Sequence, residues 1–595
     1  MSEPVGAELR GVAASPGIAI GRVHLLRREA LAVPERALPA PQVAAEVERL
    51  HAAAGHARAR LERIHRSVSS FELPDAILRT QLMILEDRQL LDEVARHVRE
   101  RLINAEWALR IEQERLNALF DAMRDEYLRE RRTDVNFALR QLLLSLLGRE
   151  LEDVGALDGP TVVVSHDLSP AETAQLDRAR VVALATDAGG RTSHAVIMAN
   201  ALGIPAVVGL ETLSATAHEG DLAIVDGRAG RVLLRPPAAA VRRYAARARQ
   251  ERARERALLR CADLPSETRD GRPIELRANI ERAEDLAAAR ACGARGVGLF
   301  RTEFLFMNRS ELPDEEEQVR QYEAVLAGVA PWPAAIRTVD LGGEKLLLPG
   351  LRRVEANPAL GLRGIRLAAL PGQAGARSSL YASQLRAMLR ASPAGTLRIL
   401  LPLVTGVEEV VAVRQTLAEL RGELEGEGHA VAERIELGAV VETPAAVGIV
   451  DLLARELDFF SIGTNDLIQY TVAVDRENEA VAYLYDSGHP AMLRAIRAVV
   501  EAAHAVQRPV GVCGEMAGDP LYTLLLVGLG VDELSMNAPA IPRVKRIVRE
   551  IEQPEARALA AGLLELRTAA EVGEELRKEM RRRFPDEFEP TSRVP

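Results

Sequence analysis

Apolar residues recur along this chain with a period that changes twice, and each change marks a new kind of structure. From Leu9 to Leu26 (LRGVAASPGIAIGRVHLL) they alternate around Gly and Pro, which predicts short strands. Between about Pro41 and Gly148 the period lengthens. Val43, Val47, Leu50, Ala54, Ala57, Leu61, Ile64 and Val68 follow alternating steps of four and three, one stripe along a long helix of a hairpin or bundle. Further helical patterns cover Asp75 to Leu102, Ala105 to Glu130 and Asn136 to Leu147, with Asn104 placed to cap the helix that starts at Ala105. From Gly159 to Leu234 the strands TVVVS, RVVALAT, AVVG, LAIVDG and RVLL alternate with short helices. An arginine-rich helix from Ala238 to Leu259 then reads as a solvated linker.

From about Leu264 a β/α alternation repeats. IELRANI, GVGLFRTE, AAIRTVD, LRILLPLV, IELGAVVET, FFSIGTND, PVGVCGE and DELSMNA are eight short apolar strands separated by helical stretches, the count of a (β/α)8 barrel. The strands end in Asn279, Arg301, Arg337, Thr405, Glu442, Asn465 with Asp466, Cys513 and Asn537. In a barrel those ends converge on one mouth, where catalysis is built. With Arg476, the mouth gathers three arginines (Arg301, Arg337, Arg476), two carboxylates (Glu442, Asp466) and one thiol (Cys513). Arginine forks grip phosphate and carboxylate bidentately, and two carboxylates without nearby His or Cys suit a hard cation such as Mg²⁺. A small substrate bearing phosphate and carboxylate is implied.

Composition narrows the class. At 595 residues several domains are expected. The net charge of −10 argues against general nucleic-acid binding, and no apolar run approaches the ~20 residues of a bilayer span. Three separated cysteines (Cys261, Cys292, Cys513) and no basic-then-apolar leader point to a reducing cytoplasm.

One stretch carries chemistry of a different kind. Asp187 to Gly209 (DAGGRTSHAVIMANALGIPAVVG) runs from a buried strand through Gly189 and Gly190 into a helix that starts near Ser193 and stops before Gly203. His194 falls in its first turn, where free N–H groups and the helix dipole favour a neutral, nucleophilic imidazole and would welcome a phosphoryl group once attached. Arg191 adds a cation. An isolated histidine at a helix start is ordinarily a cap or packing residue.

The motif GGRTSHAVIMANALGIPAVVG resembles the phosphohistidine motif of phosphoenolpyruvate-utilising phosphotransferases. With LFRTEFLFMNRSELPDEEEQ, RTVDLGGEK, NPALGLRGIR, VETPAAV, SIGTNDLIQYTVAVDR and GVCGEMAGD, the chain is similar to the Enzyme I family of bacterial sugar phosphotransferase systems from about Leu9 to about Glu552. The resemblance implies a multidomain α/β protein. Residues 1–30 and 150–236 would form a discontinuous phosphohistidine domain, and 31–149 an inserted helical bundle that binds the phosphocarrier protein HPr. Residues 237–262 would be a linker helix, 263–555 a phosphoenolpyruvate-binding (β/α)8 TIM barrel and 556–595 a helical tail. Arg301, Arg337, Arg363, Asn465, Asp466 and Arg476 would hold phosphoenolpyruvate. Glu442 and Asp466 would bind Mg²⁺, Cys513 would protonate the enolate to give pyruvate, and His194 would carry the phosphoryl group to HPr. A homodimer through the barrel is implied too. Gln81 stands where many members carry His. A nucleotide-grasping domain, required in dikinase and synthase relatives, has no room before the histidine domain.

Overall fold

The computed structural model describes residues 6–26, 33–68, 82–85, 87–122, 126–148, 159–168, 180–189, 196, 199, 204–307, 312–342, 355, 357–367, 379–476, 478 and 481–588. The chain divides into two compact units, Met1–Arg254 and Glu255–Pro595.

In the first unit, strands β1 (Ala7–Arg10), β2 (Val12–Ser15) and β3 (Ile18–Leu26) precede, among the described residues, four long helices. These are α1 (Val43–Val68), α2 (Arg88–Arg101), α3 (Ala105–Ala122) and α4 (Glu126–Leu146). Strands β4 (Thr161–Ser165), β5 (Val181–Thr186), β6 (Ala206–Val208), β7 (Leu222–Asp226) and β8 (Arg231–Leu234) follow, and then α5 (Ala238–Leu259). All eight strands form one sheet, ordered β1-β8-β7-β3-β4-β5-β6-β2, so the N-terminal strands pair with those beyond the helices. The centre, β3-β4-β5-β6, is parallel. Strand β4 (TVVVS) is buried throughout, with Val162 and Val164 in one apolar cluster and Val163 in the other. A continuous valine run suits a parallel strand covered on both faces.

The helices share a core built on Leu50, Leu61, Val94, Val98, Leu109, Leu139 and Leu142. The α1 stripe is seen at Val47, Leu50, Ala54, Ala57 and Leu61, all buried. Three expectations need correction. The helix expected from Asp75 to Leu102 is interrupted, because Asp87 is extended (φ −64°, ψ 106°) and its side chain accepts from Gln89 N, starting α2 afresh. Such local capping competes with helix continuation. The next pair divides earlier than expected: α3 ends at Ala122 and α4 starts at Glu126, because the Glu, Leu and Arg that follow are good helix formers even where apolar residues are few. Asn104 stands before α3, but its side chain accepts from Arg36 N and donates to Pro34 O and Glu106 Oε2, while Glu46 of α1 accepts from Ala105 N at 2.8 Å. Gln81, which stands where many family members carry His, lies outside the described residues.

Helix α5 is more than a solvated connector. Tyr244 and Ala248 pack on Ile18 and Ile224 of the sheet, and Arg247 pairs with the buried Asp226 at 3.2 Å. Among the described residues no helix is long and apolar enough to cross a membrane.

The second unit is a closed barrel of eight parallel strands: β9 (Glu275–Ile280), β10 (Val297–Arg301), β11 (Ala334–Arg337), β12 (Leu397–Leu401), β13 (Glu436–Val441), β14 (Phe459–Ile462), β15 (Val510–Val512) and β16 (Glu533–Met536), with β16 pairing back to β9. Each expected strand is present. Inside, Leu299, Leu400, Val440, Phe459 and Cys513 form a cluster of their own, separate from the larger core between strands and helices. Near the N-terminal strand ends Arg398 contacts Glu533 (3.0 Å) and Glu436 (3.2 Å) and stacks on Phe459, 3.6 Å from the ring centroid. A packed interior closed at one end leaves the C-terminal mouth as the working face.

The C-terminal helices Gln553–Leu564 and Ala569–Arg583 contribute Ala556, Ala560, Leu563, Val572, Leu576 and Met580 to the barrel's core. Helix Gln553–Leu564 approaches Pro520–Leu529 so closely that a Cβ at Gly528 would stand 2.1 Å from Ala556 O. Gly528→Ala should therefore cost about 1–3 kcal/mol, the scale of overpacking. At Gly562 a Cβ would meet nothing within 4 Å, and Gly562→Ala should add about 0.4–1 kcal/mol. Thermal denaturation of both variants checks the pair; equal midpoints would contradict the packing described.

Candidate active site

Several barrel strands bring a polar residue to the mouth at, or just beyond, their C-terminal ends. Arg301 and Arg337 are register partners at the ends of β10 and β11. Glu442 directly follows β13. Asn465 and Asp466 lie in the first turn of helix Thr464–Val472, after β14, and Cys513 directly follows β15. Turns set these side chains. Gly364 takes φ +60° beside Arg363, and a Cβ there would stand 2.9 Å from Leu403 Cβ. A Cβ at Gly514 would collide with Thr464 Oγ1 at 1.9 Å, so the chain beyond Cys513 needs glycine.

The side chains meet in one ionic network. Arg337 reaches Glu303 (3.1 Å) and Asp340 (3.3 Å). Arg363 grips Asp340 bidentately, at 3.0 and 2.8 Å, and reaches Asp466 at 2.9 Å. Arg476 takes the other Asp466 oxygen at 3.1 Å. Burial works against the Arg337 charge, but Glu303, Asp340 and Glu442 outweigh it, so this guanidinium holds its proton more firmly than a free arginine. Arg363 is raised likewise, against its burial, by Asp340 and then Asp466. Arg301 stands apart from these pairs and contacts Glu281 at 3.2 Å. Asn465 ties helix Thr464–Val472 to Glu515, accepting from its N at 2.9 Å and donating to its carboxylate at 3.2 Å.

Asp340, Glu442 and Asp466 place one carboxylate oxygen each within 4.8 Å of the others. Glu442 is almost wholly buried and accepts from Leu403 N at 2.7 Å. Burial first, then the charges of Asp340 and Asp466, raise its carboxyl well above the ordinary range. Three crowded carboxylates with no imidazole or thiolate in the set fit a hard divalent cation. Asp340 and Glu303 carry no strand-end signal in the sequence, though Asp340 lies inside the RTVDLGGEK motif, three residues past Arg337, and Glu303 inside LFRTEFLFMNRSELPDEEEQ.

Cys513 caps the barrel's interior cluster with 4% exposure, its Sγ 3.8 Å from Ile462 O. It lines a cavity of about 750 Å³ with Asn279, Arg301, Glu515 and Asn537. Asn279 donates to Cys513 O at 3.0 Å. Burial, against a hydrogen bond from Ser461, pushes the thiol up to about 11, so it is protonated at neutral pH. Thr405, four residues beyond β12, donates through its N and Oγ1 to Glu409 at the start of helix Val407–Gly426.

In the first unit the strand entering the histidine stretch is β5, and Gly189 after it takes φ +110°. Asp187, at the strand end, is buried and accepts from Ser214 N at 3.1 Å. Val196 and Ala199 are helical and buried. His194 itself, with Gly190, Arg191, Thr192 and Ser193, lies outside the described residues.

Comparison with known proteins covers nearly the whole chain. Residues 10–131 match the family described as PEP-utilising enzyme, N-terminal, residues 157–230 its mobile domain, and residues 255–553 its PEP-binding domain. A protein of Bacillus sp. (strain S) named phosphoenolpyruvate-protein phosphotransferase is 41% identical over 566 residues, 95% of this chain and 96% of the relative. Relatives of the same name come from Haemophilus influenzae (39% identical, 95% of this chain and 97% of the relative) and Cupriavidus necator (42%, 90% and 93%).

The thiol placement has a direct consequence. Alkylation of Cys513 by iodoacetamide should follow a titration with its midpoint near 11. Peptide-resolved labelling across pH measures it, and a midpoint near the ordinary thiol value of about 8.5 would contradict the buried position.

Proposed function

Because the chain belongs to the phosphoenolpyruvate-protein phosphotransferases, transferases of the phosphoenolpyruvate-utilising family, we propose that it moves the phosphoryl group of phosphoenolpyruvate onto His194 and then onto a histidine of HPr. The observation that carries this reading is the buried network in which Arg337 and Arg363 share Asp340, with Asp466 and Glu442 beside them and Cys513 at the cavity wall.

The chain's own residues divide the work. Arg337, Arg363, Arg476 and Arg301 supply planar forks for the phosphate and carboxylate of the substrate, and Asn465 completes the grip. The pairs they make with Asp340, Asp466, Glu303 and Glu281 keep them aligned before substrate arrives. Glu442 and Asp466, with Asp340 beside them, would hold Mg²⁺. A bound Mg²⁺ would neutralise charge on the phosphoryl oxygens as the bond to the leaving oxygen lengthens. In the transfer the P–O bond of phosphoenolpyruvate breaks and a P–N bond forms at His194 Nε2, while the electron pair stays on the enolate oxygen. Cys513 then gives its thiol proton to the enolate's methylene carbon, pyruvate leaves, and the thiolate regains a proton from solvent. The high thiol value keeps that proton in place until the carbanion-like carbon appears.

The fit of Cys513 to proton donation rests on its place above the interior cluster and beside Arg301 and Arg337, both of which influence its titration. HPr as acceptor and a homodimer through the barrel follow from the family resemblance alone, whereas action in the cytoplasm also rests on the three separated cysteines.

His194→Ala should abolish both autophosphorylation and transfer to HPr, checked by intact-mass and acid-lability assays after incubation with phosphoenolpyruvate and Mg²⁺. An acid-labile adduct on that variant would sink the assignment. Arg337→Lys should reduce turnover by at least ~10²-fold, because an ammonium cannot bridge two oxygens as the fork does. Near-normal turnover would reduce Arg337 to a steering charge. Cys513→Ala should fold, bind phosphoenolpyruvate and release pyruvate very slowly, while Cys261→Ala and Cys292→Ala stay near the parent rate. Equal losses in all three would mean that Cys513 only packs the barrel.

A further inference from the structure

The helices of the first unit carry a second group of ligating side chains, on residues the phosphoryl chemistry does not use. Glu93 and His97 stand one turn apart on α2, on the same face of the helix. Glu112 comes from the neighbouring α3. One ligand atom from each lies within 4.8 Å of the other two. His97 is 6% exposed and Glu112 1%, whereas Glu93 sits at the rim.

His97 is the telling member. Neither of its ring nitrogens has a hydrogen-bond partner, although both are buried. Its Nε2 faces Glu112 Oε2 at 3.7 Å, beyond hydrogen-bond reach. A buried imidazole without a partner is costly and uncommon in a folded core. The gap has a definite size. Two donors bridged by one water would stand roughly 4.5 Å apart. Two donors on a cation at about 2.0–2.1 Å stand roughly 3.3–3.6 Å apart.

We propose that Glu93, His97 and Glu112 form a binding site for a divalent transition-metal ion of the Zn²⁺ class. One imidazole with two carboxylates selects such ions over Mg²⁺ or Ca²⁺, and the two carboxylates balance the ion's charge. In the structure Arg96 holds Glu93 at 2.6 Å and Arg115 holds Glu112 at 2.5 Å. Both arginines are about half exposed, and surface pairs of this kind exchange partners at little cost. Three protein donors leave a coordination position open on the Glu93 side, for water or for a side chain from a docked protein.

This site shares no residue with the barrel mouth, so it stands or falls independently of the phosphoryl-transfer reading. The test is calorimetric titration of Zn²⁺ into the chelator-stripped full-length chain, into Glu93→Gln and into His97→Gln. The wild-type chain should bind one Zn²⁺ more than either variant, or bind it at least ~10-fold more tightly, and its thermal midpoint should rise with Zn²⁺ more than theirs. Glu93→Gln alters only a rim side chain, so it keeps the comparison decisive if His97→Gln does not fold. Identical stoichiometry and affinity in wild type and Glu93→Gln would overturn the proposal, as would loss of the ion in His97→Gln alone.

Discussion

Charges buried at the barrel mouth can survive only together. Arg337 and Arg363 are largely enclosed, and so are Glu303, Asp340, Glu442 and Asp466. A buried ion stripped of its partner costs on the order of 3–5 kcal/mol, so each member of this network dictates where the others stand. The barrel provides that geometry. Strand register sets Arg301 beside Arg337, the positive-φ turn at Gly364 directs Arg363, and the packed interior holds Cys513 at the floor of the cavity. At the other end Arg398 closes the barrel over Phe459. A substrate with phosphate and carboxylate, arriving with a dication, can trade partners with this network without leaving any charge bare.

The same burial explains the division of roles among like groups. Glu442 is enclosed among carboxylates and is pushed toward its neutral form, a strain that a cation relieves. Cys513 is enclosed among apolar side chains and keeps its proton, which suits a donor and not a nucleophile. The barrel mouth is therefore suited to balance charge and to hold a proton at Cys513, while His194, the proposed phosphoryl carrier, belongs to a separate unit whose strands form their own sheet.

Much of this was legible in the residues. The eight barrel strands are short apolar runs ending in polar side chains, and each was found where the pattern placed it. What the pattern hid was mostly a matter of partners. Asp340 and Glu303 lie beyond strand ends, and their importance comes from the arginines they face, which are remote in sequence or revealed only by register. Thr405 stands four residues beyond the end of β12, and its N and Oγ1 donate to Glu409 at the start of the following helix. Asp87 and Asn104 are both helix-capping residue types, yet one caps its own helix and the other binds residues 34–36, a choice no local spacing encodes. Tyr244 sits in an arginine-rich helix, and its packing on Ile18 and Ile224 depends on a sheet assembled from distant segments. His97 and Glu112 meet only because two helices pack side by side.

The central claim is that the mouth is a joint site, in which anion and cation each make room for the other. Calorimetric titration of phosphoenolpyruvate into the full-length chain, once with saturating Mg²⁺ and once after chelation, tests it most directly. The account predicts binding at least ~10-fold tighter with Mg²⁺, since the unrelieved carboxylates of Asp340, Glu442 and Asp466 oppose an anion when no dication is present. Equal affinity under the two conditions would contradict it.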